Sequence, residues 1–313
     1  MSNILTVFGA SGNQGGSIIR SVLADPELSK SFQILTVTRD TKKPAIKALE
    51  QQGVEVVSAD MASKSSVAEA VKGTHTLFLV TLPDFVTGSP KGTEYEHGKN
   101  VADAAKDDGV KHLLFSSLIN VTEASKGKLP HVAHFDRKAE VEDYIRSRTE
   151  YTSYIHPTGV LHDQLHKPSL LRKGGDGSYS LAGPPSGTVA QLPLFFPDDD
   201  MGKYAVAAIK KRDSVLGKQI HATADYNTLH RIMEEFQEVT GKKGQYAQIP
   251  HDVHQSFLPP PIAQEILENE LLCEEPGFFA GGSLVEGHEL LKEVGLAPTT
   301  WKKFIGSRKE LLV

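Results

Sequence analysis

Two short stretches of this chain place residue types at spacings suited to chemistry. The first is Gly9-Ala10-Ser11-Gly12-Asn13-Gln14-Gly15, which follows an apolar, β-branched run at 4–8 and opens a stretch with helical spacing at 15–23. Glycine at the first place permits a tight turn, at the second lets backbone N–H groups approach an anion, and at the third lets helix and strand pack closely. The helix N-terminus behind the turn adds partial positive charge and N–H donors. These features suit a pyrophosphate, and Gly9, Ala10, Ser11, Gly12, Asn13, Gln14 and Gly15 are its expected cradle. The second stretch is His134-Phe135-Asp136-Arg137-Lys138. His134 and Lys138 are four residues apart, so both side chains share one face of the helix predicted over 133–148. Imidazole exchanges protons near neutral pH, which makes His134 a candidate catalytic acid, although an ammonium so close disfavours the imidazolium.

A pyrophosphate cradle implies a dinucleotide, and the end of the second predicted strand should select it. That strand, at 34–38, runs into Thr38-Arg39-Asp40. An arginine at the tip forks onto a 2′-phosphate and favours NADP(H), whereas an acid there holds ribose hydroxyls and favours NAD(H). Arg39 occupies the tip with Lys42 and Lys43 behind it, so NADP(H) is expected. Asp40, one residue late, keeps NAD(H) as the alternative. Asp60 and Met61 follow the third strand and are placed to flank an adenine, and Thr81 ends the fourth strand near the nicotinamide half.

The elements that must position these residues are legible as two alternating textures. Short apolar runs at 4–8, 34–38, 54–57, 76–81 and 112–116 alternate with helical patterns at 15–23, 44–52, 64–71 and 93–108. The helix over 133–148 and a strand at 151–155 complete the series. Strands that are apolar throughout, each followed by a helix, predict an α/β fold: a Rossmann doubly wound parallel sheet of roughly six strands, covered on both faces. Residues 1–156 form the expected dinucleotide-binding domain. Beyond His156-Pro157 the texture turns to Gly- and Pro-rich loops and separate helices, so 157–313 is expected to be a smaller, helix-rich region over the carboxyl edge of the sheet. Some of its strands are allowed to rejoin the sheet.

The remaining signals mostly exclude. Net charge is −5, with basic residues scattered in pairs rather than in a stripe, which disfavours direct nucleic-acid binding. Cys273 is the only cysteine, so there is neither a disulfide framework nor a thiolate metal site. His131 and His134 lack an evident third ligand, and Asp198-Asp199-Asp200 reads as acids favoured at a helix start, so no metal is expected. The longest apolar run, 76–82, is far too short to span a bilayer, and 4–8 reads as a strand rather than a signal peptide. A cytoplasmic location, or a nuclear one, follows as the expectation. Asn120-Val121-Thr122 matches a glycosylation sequon that would be idle there.

The same motifs carry a family resemblance. The GxxGxxG spacing is typical of extended and atypical short-chain dehydrogenases, whose members carry Tyr-x-x-x-Lys on the helix after the fifth strand. Here Lys138 is present, His134 stands at the tyrosine position, and Ser116 and Ser117 stand where a catalytic serine usually does. VFGASGNQGGSIIR, VTRD, SAD, LVT and HFDRKAEVEDYI, at their spacings over about the first 160 residues, resemble the NmrA-like family of that group. The resemblance implies that Lys138 holds the nicotinamide ribose, that Arg39 and Lys43 meet the 2′-phosphate, and that Pro157, Thr158, Gly159 and Val160 pass the nicotinamide amide. It implies, first, a redox sensor or regulator that acts through a protein partner. The alternative it implies is an NADPH-dependent oxidoreductase reducing a small carbonyl, quinone or imine, with His156, His162 and His166 as further polar groups for a substrate pocket.

Overall fold

A computed structural model describes residues 2–83, 93–157, 160–161 and 171–308. Its centre is a parallel sheet built from the predicted apolar runs: β1 (Asn3–Phe8), β2 (Phe32–Thr38), β3 (Glu55–Ser58), β4 (Thr74–Val80), β5 (His112–Ser116) and β6 (Thr152–Pro157). Three short strands follow, β7 (Val160–Leu161), β8 (Leu171–Lys173) and β9 (Tyr179–Gly183). The last four are β10 (Leu192–Phe195), β11 (Gln219–Ala222), β12 (Tyr226–Asn227) and β13 (Gly244–Gln248). The main sheet has seven strands in the order β11-β6-β5-β4-β1-β2-β3, one more than the sequence suggests. The additional strand, β11, comes from the second half of the chain and pairs parallel to β6, with His156 opposite His221.

Strand order reverses between β1 and β4, which both pair parallel to their neighbours. In doubly wound sheets this reversal opens a crevice at the carboxyl ends of the strands, where ligands bind. Helices α1 (Asn13–Ala24), α2 (Leu28–Ser31), α3 (Pro44–Glu50), α4 (Lys64–Ala70), α5 (Thr93–Asp107), α6 (Val121–Ala124) and α7 (Ala133–Arg148) make the crossovers. On one face Leu5, Val7, Ile18 and Phe78 share a core with Met201 and Tyr204 of α8 (Asp200–Lys210). On the other, Leu77, Leu79, Phe115 and Tyr154 pack with Val101 of α5 and Val141 of α7. Close contact of α1 with α8 depends on Gly202, where an added Cβ would run into the Ser17 carbonyl oxygen.

A third core joins the two halves of the chain. Leu118, Val121, Val132 and Phe135 pack with Leu194, Phe236 and Trp301. Two three-stranded sheets, β12-β10-β7 and β13-β9-β8, frame that core. The acids before α8 do different work from the expected capping. Asp199 makes no side-chain cap, while Asp200 is fully buried and accepts hydrogen bonds from the Thr299 N–H, 3.0 Å, and hydroxyl, 2.8 Å. It pins the C-terminal segment to α8, and burial pushes its carboxyl pKa up against the opposing pull of Lys203. Asn120 of the sequon caps α6 by accepting the Glu123 N–H. Among the described residues no helix is long and apolar enough to cross a membrane.

Candidate functional site

The glycine turn lies at the carboxyl end of β1, on the reversal of strand order. Gly9 has φ +78°, a left-handed conformation in which L side chains are strained, and a Cβ there would also stand 2.8 Å from Val80 Cγ1. Gly15 has ordinary backbone angles, but a Cβ on it would meet the Gly9 carbonyl oxygen at 2.5 Å and the Ala10 nitrogen at 2.9 Å. Those are backbone atoms that cannot rotate away, so the third glycine is a packing requirement between α1 and β1. The Gly12 N–H closes the turn on the Gly9 oxygen at 3.0 Å. Gly12 is the N-cap of α1 and offers no capping side chain, so the first-turn amides are left for another acceptor. Ser11 and Asn13 are exposed beside them, and Gln14 Oε1 is buried without a partner.

Next along the carboxyl edge is the tip of β2. Asp40, the residue that kept NAD(H) open, turns its carboxylate Oδ1 onto the Lys42 N–H at 2.9 Å and closes its own loop. Arg39, Lys42 and Lys43 are exposed and make no ion pair among the described residues. Asp60 also folds back, accepting the Ala62 N–H at 3.0 Å, and the Met61 carbonyl is fixed by Asn100 Nδ2 of α5 at 2.9 Å.

On the other side of the reversal stands the most buried charge of the site. Lys138 Nζ donates to the Thr81 carbonyl at 2.6 Å, to Thr81 Oγ1 at 2.9 Å and to Glu94 Oε1 at 2.6 Å. The Thr81 hydroxyl donates to the same Glu94 oxygen at 2.7 Å. The side chains of Lys138 and Glu94 are 10% and 2% exposed. Burial lowers the Lys138 pKa, and the Glu94 carboxylate only partly restores it. An ammonium has three protons, and here all three are engaged. Ser117 approaches the Lys138 carbonyl with its hydroxyl at 3.4 Å.

One turn before Lys138, His134 donates its backbone N–H to Glu265 Oε1 at 2.9 Å and its ring Nδ1–H to the same oxygen at 2.6 Å. Glu265 belongs to the helix Pro260–Leu271 in the second half of the chain. Burial alone would push the Glu265 carboxyl up, but the bonds from His134 outweigh it and hold the pKa below the usual range. His131 repeats the pattern on Glu268, through its N–H at 2.7 Å and Nδ1 at 2.5 Å. The N-cap of α7, Val132, has no capping side chain, so carboxylates from another helix supply this cap. Asp136 faces the other way and accepts from the Val121 N–H, 2.7 Å, tying α6 to α7.

The expected site residues therefore separate into groups. Gly9–Gly15, Arg39 and Thr81–Lys138 lie along one carboxyl edge, and Lys43 is the N-cap of α3. Pro157 ends β6, and the Val160 backbone pairs with Leu194. Thr158, Gly159, His162 and His166 lie outside the described residues. His156 is no pocket group: it is fully buried, its Nε2 2.8 Å from Glu142 Oε2. Burial opposes the charge on Glu142, but His156, Ser117 and Gln219 together draw its pKa down to about 2. Glu94, Glu265 and Glu268 were not legible in the sequence. Glu94 and Glu96 both look like ordinary acids in the first turn of α5, and only the fold buries one of them on Lys138.

With this geometry in view, comparison with known proteins is direct. The model of the NmrA-like family matches residues 1–305. The chain belongs to the NmrA-like family. Within it, the NmrA-like family domain-containing oxidoreductase malD of Malbranchea aurantiaca is 32% identical over 256 residues, 79% of this chain and 75% of that protein. Among solved structures, NmrA, a negative transcriptional regulator in complex with NADP, matches with TM-score 0.80 at 19% identity over 98% of this chain and 95% of its own. Triphenylmethane reductase of Citrobacter sp., complexed with NADP(H), matches with TM-score 0.74 at 20% identity over 98% of this chain and 99% of its own. These two structures share the fold of this NmrA-like chain.

Proposed function

We propose that this chain binds NADP(H) and uses it as an oxidoreductase on a small carbonyl, quinone or imine. The observation that carries the reading is the buried Lys138–Glu94–Thr81 cluster at the end of β4, across the strand-order reversal from the glycine turn. The residues fit a dinucleotide: the cradle at Gly9 and Gly15 is one that a Cβ would fill, and the first-turn amides of α1 lack a side-chain cap. Arg39, Lys42 and Lys43 would hold the 2′-phosphate, since the competing Asp40 carboxylate is engaged in its own turn. Asp60 and Met61 would border the adenine. Lys138 would hold the nicotinamide ribose by exchanging one of its three present acceptors for a ribose hydroxyl, with Pro157 beside the amide. When bound, the cofactor supplies a hydride. Support also comes from the relative named as an oxidoreductase, and from the reductase solved with NADP(H).

A second reading, a redox sensor acting on a protein partner, is favoured by one observation. The helix that carries Lys138 is capped by the second half of the chain, so ribose occupancy has a mechanical route outward. NmrA, a regulator solved with both NAD and NADP, gives that reading its precedent. Calorimetric titration with NADP+, NADPH, NAD+ and NADH is the first test. Tight binding of the phosphorylated pair in both redox states, followed by NADPH oxidation with a carbonyl or quinone panel, supports the oxidoreductase. Strong bias toward one redox state without turnover supports the sensor, and no binding refutes both.

A further inference from the structure

We infer that Glu265 is the positioning carboxylate of a proton-donating pair, Glu265–His134, which the second half of the chain contributes to the site. The inference rests on the oxidoreductase reading. Reduction of a C=O or C=N bond requires a proton as well as a hydride, and the family position for a tyrosine holds His134. Proximity to an ammonium had counted against an imidazole there. The structure answers that and also orients the ring. The Lys138 charge is matched by Glu94 at 2.6 Å, and the His134 ring is fixed through Nδ1 on Glu265 at 2.6 Å. A carboxylate at Nδ1 sets the tautomer and the ring orientation, so proton exchange runs through Nε2.

His134 also stands where exchange is useful. It lies one turn ahead of Lys138 on the same helix face, at the carboxyl edge of the sheet. Its side chain is 14% exposed, against 57% for His131, which is bonded to Glu268 in the same way. Among the described residues, the charged groups around it include Glu265 and Glu268 from the helix Pro260–Leu271, His131, Arg137 and Lys138 from its own segment, and Glu94 behind Lys138. With a bound cofactor delivering the hydride to carbon, this chain's own part in the step would be the proton. The electron pair of the C=X bond moves to X, which takes the proton from Nε2 of the imidazolium. His134 is left neutral in the Nδ1–H tautomer, still donating to Glu265, and water restores its proton.

The His131–Glu268 pair is the internal control, because both carboxylates dock α7 but only Glu265 serves the reaction. Glu265→Gln keeps an acceptor for the His134 N–H and removes the charge. It should lower kcat about 100-fold, the lower range for general acid catalysis, with the Kd for NADPH unchanged within twofold. His134→Gln should lower kcat by a similar factor, and the double variant no further, whereas Glu268→Gln should stay within threefold of wild type. Nitrogen-15 spectra of labelled histidine, which need neither substrate nor cofactor, with the His134 ring assigned by its absence from His134→Gln, should show the His134 Nδ1 protonated in wild type and that signal lost in Glu265→Leu, while the His131 and His221 signals stay. Equal losses in Glu265→Gln and Glu268→Gln, or a His134 ring protonated on Nε2 alone, would overturn the inference. Failure of wild type to bind NADPH would instead remove the reading beneath it. Should Glu265→Leu fail to fold, the wild-type spectrum and the Glu265→Gln kinetics decide.

Discussion

Lys138→Met is the perturbation whose size follows most directly from the structure. Methionine matches the length of the lysine stem, so packing is kept while the ammonium is lost. What remains is a Glu94 carboxylate at 2% exposure, its Oε1 still taking the Thr81 hydroxyl and its Oε2 buried without a partner. Removing one member of a buried pair costs about 3–5 kcal/mol, because the other is left uncompensated. At about 2.1 cal/mol/K per residue, unfolding entropy for 313 residues is about 0.66 kcal/mol/K, so the midpoint should fall about 5–8 °C. Glu94→Gln in the same background removes the stranded charge and should recover most of that loss. Calorimetric unfolding of wild type, both single variants and the double variant closes the cycle. A Lys138→Met cost below about 1 kcal/mol, or a double variant as unstable as the two losses summed, would show that Glu94 and Lys138 are not a buried ion pair.

Other consequences can be measured in the same preparations. Arg39→Ala should weaken NADP(H) at least about tenfold, the worth of one charge-assisted fork, and NAD(H) hardly at all; equal loss of both would remove Arg39 as selector. Gly15→Ala forces a Cβ against the Gly9 carbonyl at 2.5 Å and should cost about 1–3 kcal/mol of stability together with dinucleotide binding, which unfolding and titration would report. Glu142 has its pKa drawn down in the folded chain to about 2 from an ordinary 4.5, so its stabilisation is complete above pH 4.5 and is lost as pH falls toward 2. Over that window wild type should lose about 3 kcal/mol that Glu142→Gln never had, and parallel acid-unfolding curves for the two would contradict the assignment.

The sequence made six of the seven strands of the main sheet, the glycine turn and the helix carrying Lys138 legible, because each is written in local periodicity or in adjacent residues. Its silence fell on contacts between distant positions. Glu94 reaches Lys138 across 44 residues, and Glu265 reaches His134 across 131, with no motif linking either pair. His156 was a reasonable pocket group until the fold turned it inward onto Glu142, a pairing that needs both β6 and α7 in place. β11 was missed for a different reason. Gln219-Ile220-His221-Ala222 is a short, half-polar strand at the sheet edge, and little in its composition separates it from a loop.

The carboxylates that cap α7 from a distant helix bear on how members of this family can be recombined. A chimera spliced after residue 157 would join one parent's His131 and His134 to another parent's helix Pro260–Leu271, and would also split the core shared by Val132, Phe135, Phe236 and Trp301. The seam that leaves these contacts intact runs through space rather than along the chain. A transplanted second half should carry its own 118–135 segment with it, inserted between the recipient's β5 and the remainder of α7.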